Sequence, residues 1–362
     1  MKNIPFVIII LFSFLNYSCQ KEAIPDGQIS DSLWLEHKGA QMPILVEGNI
    51  SSGTLILILH GGPGGSTKPD NKLNKSVSEP LEERYAVAYY DQRLSGNSRG
   101  NFEAEIVTAA QMVEDVDVVI DLLKDQYGSD LNIFLYGISW GGYLGNAYLS
   151  TDNNQQKVRG WIDAVGAHNV QKIGYDGVAL MEEVATQQIA ANSSQKEGWQ
   201  EILDYVAEFD AKTNGRTITL DEDISLEVNA QAFKAMDLAR ADSLLATPPQ
   251  QDGVLNAYLL QDHNVMTSFW NKFQMSRTAL WEEILTKPLS DKLQNITLPS
   301  LLIFGKYDFV VPPSLGEEML LELGTPEADK SLHIFEHSGH GVMLDEPEKF
   351  VDLVVQFVEQ YR

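Results

Sequence analysis

The sequence predicts an α/β protein: a mostly parallel sheet flanked by helices, with a helical cap inserted between two of its strands. Three observations carry that prediction. Several short runs, led by Thr54-Leu55-Ile56-Leu57-Ile58-Leu59, are almost purely aliphatic, and a strand with no polar face is buried on both sides, as in a parallel sheet covered by helices. Segments of helical period lie between these runs, as right-handed crossovers require. From roughly Asn169 to Thr297 the alternation stops and helical patterns stand alone.

The chain has 362 residues, 44% of them hydrophobic, enough to bury a large core. Aspartate and glutamate total 51 against 26 lysines and arginines, a formal charge of -25. So acidic a surface repels phosphate backbones and anionic lipid, which argues against a nucleic-acid partner and against electrostatic docking on membranes. Residues 1–18 read as an export signal: Lys2 supplies the positive end, Pro5 to Leu15 the apolar segment and Asn16-Tyr17-Ser18 a polar exit. The apolar segment is shorter than the roughly 20 residues a membrane-spanning helix needs. Cys19, the only cysteine, follows at once. Placed there it resembles the lipid-modified first residue of a bacterial lipoprotein, although Leu15 stands four residues before it where three is usual. Residues 19–30 would then be a tether, and several acyl chains would hold the protein stably on a bacterial membrane, on its periplasmic or outer side.

Ser32 to His37 and Met42 to Val46, on either side of Lys38-Gly39-Ala40, form an opening antiparallel hairpin. After the aliphatic run at Thr54, buried-strand character returns at Tyr85 to Tyr90, Asn132 to Tyr136, Trp161 to Val165, Ser300 to Phe304 and Leu332 to Phe335. Met112, Val116, Val119 and Leu123 make one apolar stripe on a helix, while Glu114, Asp117 and Asp121 point to water. Within 169–296, helices are expected at Val178 to Ala191, Trp199 to Phe209 and Leu226 to Leu245, with breakers at Asn214-Gly215 and Pro248-Pro249. The division expected is a core of 31–168 and 297–362 with a cap of 169–296 over the strand ends, where ligands bind in such sheets.

The chemistry centres on Gly137-Ile138-Ser139-Trp140-Gly141, a strand-to-helix turn that lifts the Ser139 hydroxyl clear of the sheet. A serine needs a histidine to take its proton and a carboxylate to orient that histidine. Asp308 and His340 each follow a strand end, in the order nucleophile, acid, base. His337 is the rival base, but the glycines flanking His340 suit a tight loop that swings an imidazole inward. His60-Gly61-Gly62-Pro63-Gly64-Gly65 follows the first buried strand, and the amides of Gly62 and Trp140 would cradle a developing oxyanion. His60, on that donor loop, reads as structural. The lysine of a phosphate loop is missing, and two of the three intervals among His333, His337 and His340 are unlike the i, i+4 pair of a helical zinc site, in a segment that reads as a strand, so neither nucleotide nor metal nor other cofactor is expected.

Together His60 to Gly65, Asp91-Gln92-Arg93, Gly137 to Gly142, Gly305-Lys306-Tyr307-Asp308 and Ser338-Gly339-His340 resemble the proline iminopeptidase family of α/β-hydrolases. The resemblance covers roughly Trp34 to Asn169 and Ile296 to Phe357. It implies the α/β-hydrolase fold, Ser139, Asp308 and His340 as triad, Gly62 and Trp140 as oxyanion donors, and release of an N-terminal residue, often proline, from short peptides. Leu94 stands where the family has glycine after Asp-Gln-Arg, so a different loop shape is expected there. Members of the family hold the substrate's free amine with cap glutamates, and the resemblance offers Glu182, Glu183, Glu282 and Glu283 for that role. An esterase acting on small acyl esters is the rival function, and a non-catalytic surface-binding lipoprotein a more distant one. No oligomeric state follows from the sequence.

Overall fold

The computed structural model describes residues 27–68, 72, 74–100, 104–248 and 263–362. The expected signal (1–18) and the expected lipid attachment at Cys19 lie outside the described residues. Strands are β1 (Gln28–His37), β2 (Ala40–Asn49), β3 (Thr54–Leu59), β4 (Ala86–Tyr90), β5 (Arg99–Gly100), β6 (Asn132–Ile138), β7 (Gly160–Ala164), β8 (Ser300–Gly305) and β9 (Lys330–Phe335). They form one sheet in the order β1-β2-β4-β3-β6-β7-β8-β9, with β5 beside β2. The first hairpin and the β2–β4 pairing are antiparallel; every pairing from β4 to β9 is parallel. β1 starts at Gln28 and pairs with β2 along its whole length, so the last residues assigned to the tether belong to the sheet.

Because side chains alternate along a strand, a purely aliphatic run must be covered on both faces. Leu55, Leu57 and Leu59 pack with Met112, Val116, Val119 and Leu123 of helix α2 (Ala109–Tyr127). Ile56 and Ile58 face the other way, toward Val77 and Leu81 from the region of Lys75–Glu82 and Phe350 and Val354 from Pro347–Tyr361. Between β7 and β8 every described element is a helix: Val170–Ala190, Lys196–Lys212, Glu222–Ala241, Val265–Met275, Leu280–Thr286 and Ser290–Leu293. The first three share a core of their own around Val178, Trp199, Phe209 and Ala235, which also takes in Phe309 from the sheet's edge.

Two buried charged groups inside this frame are held in different ways. The Arg93 guanidinium grips Asp115 of α2 through two 2.8 Å hydrogen bonds and donates to the backbone of His37 and Lys38. Asp163 of β7 is fully buried, and burial, only partly offset by Asn146 and the Gly166 amide, pushes its carboxyl up to about 7. Its ordinary value is 3.8, so between roughly pH 4 and 7 the folded chain holds a proton the unfolded chain has released. Stability therefore falls as pH rises through that window, by a total of roughly 4 kcal/mol at about 1.4 kcal/mol per unit. Asp163→Asn is expected to lose that slope and to melt higher than the wild type at pH 8, with the gap shrinking toward pH 5. Calorimetric melting at both pH values checks it, and an equal gap at both would count against a protonated Asp163.

Candidate active site

The turn at Ser139 is built where β6 meets the helix α3 (Trp140–Leu149). Ser139 sits at φ 54° and ψ -115°, a left-handed backbone that costs a non-glycine residue energy and persists only when its surroundings impose it. Its N–H donates to Ala164 O at 3.2 Å, and its carbonyl accepts from Ala167 N at 3.1 Å. Glycine at 141 lets the helix start against β3, since a Cβ there would run into the Leu59 carbonyl. The hydroxyl is thereby raised on a rigid support, and the first amide of α3, at Trp140, lacks an intrahelical acceptor.

Asp308 and His340 come together past the ends of β8 and β9. His340 Nδ1 lies 2.8 Å from Asp308 Oδ2; the aspartate is fully buried and the imidazole is 19% exposed. Asp308 Oδ1 accepts the amides of Val310 and Val311, each at 2.9 Å, so the carboxylate is fixed before it meets the histidine. With Nδ1 donating to the carboxylate, Nε2 is left as the acceptor that a general base needs. No hydrogen bond joins Ser139 Oγ to His340 among the described residues. His337 is exposed and makes no contact with Asp308; its amide is held by Glu346 Oε1 at 3.2 Å. Among the described residues no three histidine, cysteine or acidic side chains gather as a metal site would require.

His60 is buried and locked: Nδ1 lies 2.7 Å from Gly61 O, and Nε2 accepts Gln92 N at 3.2 Å. Gln92 also accepts the Trp140 indole N–H at 2.9 Å, joining the glycine-rich loop to the residue after Ser139. Asp91 Oδ1 takes the Ser66 hydroxyl and the Thr67 amide at 2.9 Å, and Oδ2 takes the Asn97 amide at 2.8 Å. Leu94, where the resemblance expects glycine, stands at φ 52°, a backbone region that favours glycine. Its side chain is 5% exposed, and burial in the core offsets the backbone cost.

Above Ser139 lies a cavity reached by Gly62, Ser139 and Trp140 from the sheet side. Its walls are mostly apolar, with Ile173, Trp281, Leu285, Phe309 and Val311 among them. The four glutamates proposed for the cap do not line it. Glu182 pairs with Arg216 at 2.8 Å and is half-exposed; Glu183 accepts from Gln187 on the surface. Glu282 is exposed, and Glu283 accepts Ala109 N at 2.9 Å and pairs with Lys287 at 3.0 Å. The Trp281 beside them does reach the cavity. The carboxylate that lines it is Glu222, the first residue of helix Glu222–Ala241, followed on the same face by Ser225 and Asn229. The i, i+3, i+7 spacing of those three polar residues was the available signal, but periodicity alone does not say which helix face looks inward to a site.

A family model described as alpha/beta hydrolase fold matches residues 54–347. Among characterised proteins, a probable aminopeptidase, YbaC, of Bacillus subtilis is 24% identical over 315 residues, 85% of this chain and 90% of that protein. A proline iminopeptidase of Saccharolobus solfataricus is 24% identical over 310 residues, 84% of each. Among solved structures, an esterase from Exiguobacterium antarcticum superposes with a TM-score of 0.52 and 23% identity, covering 91% of this chain and 100% of that one; at that identity the likeness speaks to the fold.

The Asp308–His340 contact makes a direct prediction about the serine. Asp308→Asn keeps the shape but favours the wrong tautomer, so phosphonylation of Ser139 by a fluorophosphonate is expected to slow by between ~10² and ~10⁴-fold. Stopped labelling followed by mass spectrometry measures the rate; a variant labelled as fast as the wild type would deny His340 its part.

Proposed function

Since the chain belongs to the alpha/beta hydrolase fold family, we propose that it is a serine hydrolase that trims an N-terminal residue, of proline type, from short peptides through an acyl-enzyme on Ser139. One observation carries the peptide reading: the cavity over Ser139 is walled mostly by apolar side chains, and the carboxylate among its described lining residues is Glu222, with Ser225 and Asn229 beside it on the same helix. An apolar box suits a small cyclic or aliphatic side chain, and a carboxylate at its border suits a terminal ammonium. A pocket walled by cap helices suits the end of a peptide better than the middle of a folded chain.

The steps follow from the groups in place. Ser139 Oγ attacks the carbonyl carbon as His340 Nε2 takes its proton, the charge on the imidazole being offset by Asp308 across 2.8 Å. The oxyanion is met by the Gly62 and Trp140 amides, each such donor being worth about 10² to 10³ in rate. His340 then passes its proton to the departing amine, and a water activated by the same imidazole releases the acyl group. We also propose, from the leader and Cys19 alone, that the protein is exported and held to a bacterial membrane by a lipid anchor.

Two measurements test this reading. Labelling by a fluorophosphonate is expected in the wild type and absent in Ser139→Ala; an unlabelled wild type removes the hydrolase. Glu222→Gln is expected to raise KM for proline arylamide by about 10-fold, near the low end for a charged hydrogen bond because Glu222 is exposed. The N-acetylated arylamide should be hydrolysed poorly by the wild type and no worse by the variant. Equal rates on free and blocked substrates would instead favour an esterase acting on small acyl esters.

A further inference from the structure

The helix Glu222–Ala241, here α6, touches the site at both of its ends. Its N-terminal turns bring Glu222, Ser225 and Asn229 to the cavity, where Ser225 Oγ and Asn229 Oδ1 are buried without a hydrogen-bond partner. Its C-terminal turns close on the loop that carries His340. Met236 Sδ lies 3.4 Å from His340 N. Arg240 Nη2 donates to Asp345 Oδ1 at 2.9 Å, and Nη1 donates to Ala246 O at 2.6 Å. Asp345 Oδ2 accepts Gly339 N at 3.0 Å, while Ala246 N donates to His337 O at 2.7 Å.

One guanidinium thus reaches the histidine loop by two routes, through Asp345 to Gly339 and through Ala246 to His337. Asp345 is nearly sealed, with its side chain 2% exposed, whereas Arg240 is 40% exposed. A second tie holds the same loop from the sheet side: Glu346 Oε1 accepts the Ser338 hydroxyl at 2.8 Å and the His337 amide at 3.2 Å. Further core ties hold the loop, among them Tyr307 N donating to Ser338 O at 3.0 Å, and Arg240 adds its tie from the cap.

We propose that Arg240, acting through Asp345, is a positioning residue that sets where His340 stands relative to Ser139, and that α6 thereby ties occupation of the cavity to alignment of the base. The proposal rests on the reading of Ser139 and His340 as nucleophile and base. A misplacement of about 1 Å is enough to cost up to ~10² in rate.

The test uses the full chain with wild type, Arg240→Ala and Arg240→Lys, reading the fluorophosphonate labelling rate of Ser139, kcat and KM on proline arylamide, and the melting temperature. For Arg240→Ala, labelling rate and kcat are expected to fall by about 10-fold with KM within about twofold, because alignment and not binding is lost. Arg240→Lys, which keeps the charge, should recover a substantial part of kcat. A purely structural arginine would lower the melting temperature and leave the rate per folded molecule unchanged; that outcome overturns the proposal, as does an alanine variant that labels at the wild-type rate. Arg240→Met, which keeps the stem over the loop, is read by the same criteria if the alanine variant does not fold. A wild type that resists labelling fails the triad reading, and the positioning role with it; a labelled wild type with equally fast variants fails the positioning role alone.

Discussion

The close approach of α3 to the end of β3 is the constraint from which the site is built. Leu59 and Gly137 are register partners in the parallel sheet, so the turn after β6 emerges beside the turn after β3. Gly141 has no side chain to fend off the Leu59 carbonyl, and Gly137 and Gly145 leave room for the Trp161 ring. Only under that compression does Ser139 stay at φ 54°, where isolated chains seldom place a serine. The same compression brings the glycine-rich loop and the helix amides to one point. The turn at Ser139 and the amides beside it are therefore a single unit, set by backbone packing before any side chain acts.

Much of this was legible in the sequence because the signals were local. Aliphatic runs fixed the buried strands, and the stripe Met112, Val116, Val119, Leu123 fixed the face of α2, all four being buried. Ser139, Asp308 and His340 each follow such a run directly, which is why strand ends alone could place them. What failed to show was non-local. Asp115 sits in α2 among water-facing acids, yet it is buried because Arg93, far away in sequence, pairs with it. Glu222 reads like any capping-turn acid after Asp221, which caps the helix by accepting Ile224 N at 2.9 Å; only tertiary packing turns its face to the cavity. Glu182 and Glu283 looked equally eligible and were claimed by Arg216 and Lys287. Leu94 holds a positive φ at a position where its side chain is buried in the core, a pairing that local sequence does not announce.

The polar residues around the site act as struts whose partners are themselves fixed. Asp91 ties three points of the loops at 66, 67 and 97; Gln92 joins His60 to Trp140; Arg93 joins this run to α2 and to the first hairpin. A half-satisfied buried network is costly, and a complete one specifies a single arrangement. With the excess of acid on the chain, a formal charge of -25, such internal pairing keeps the few buried charges from adding to the general repulsion.

The nucleophile and the proton relay answer to different parts of the molecule. Ser139 is clamped by β6, β7 and α3, all of them core elements. Asp308 and His340 stand at the edge where the cap returns: Phe309 belongs to the cap's own core, Gly177 of Val170–Ala190 lies against the Phe309 carbonyl, and Met236 rests on Gly339 and His340. Because the cap is inserted between β7 and β8, between Ser139 and Asp308 in the chain, the connectivity itself sets the cap's core against the Asp308–His340 pair and leaves the turn at Ser139 to the sheet.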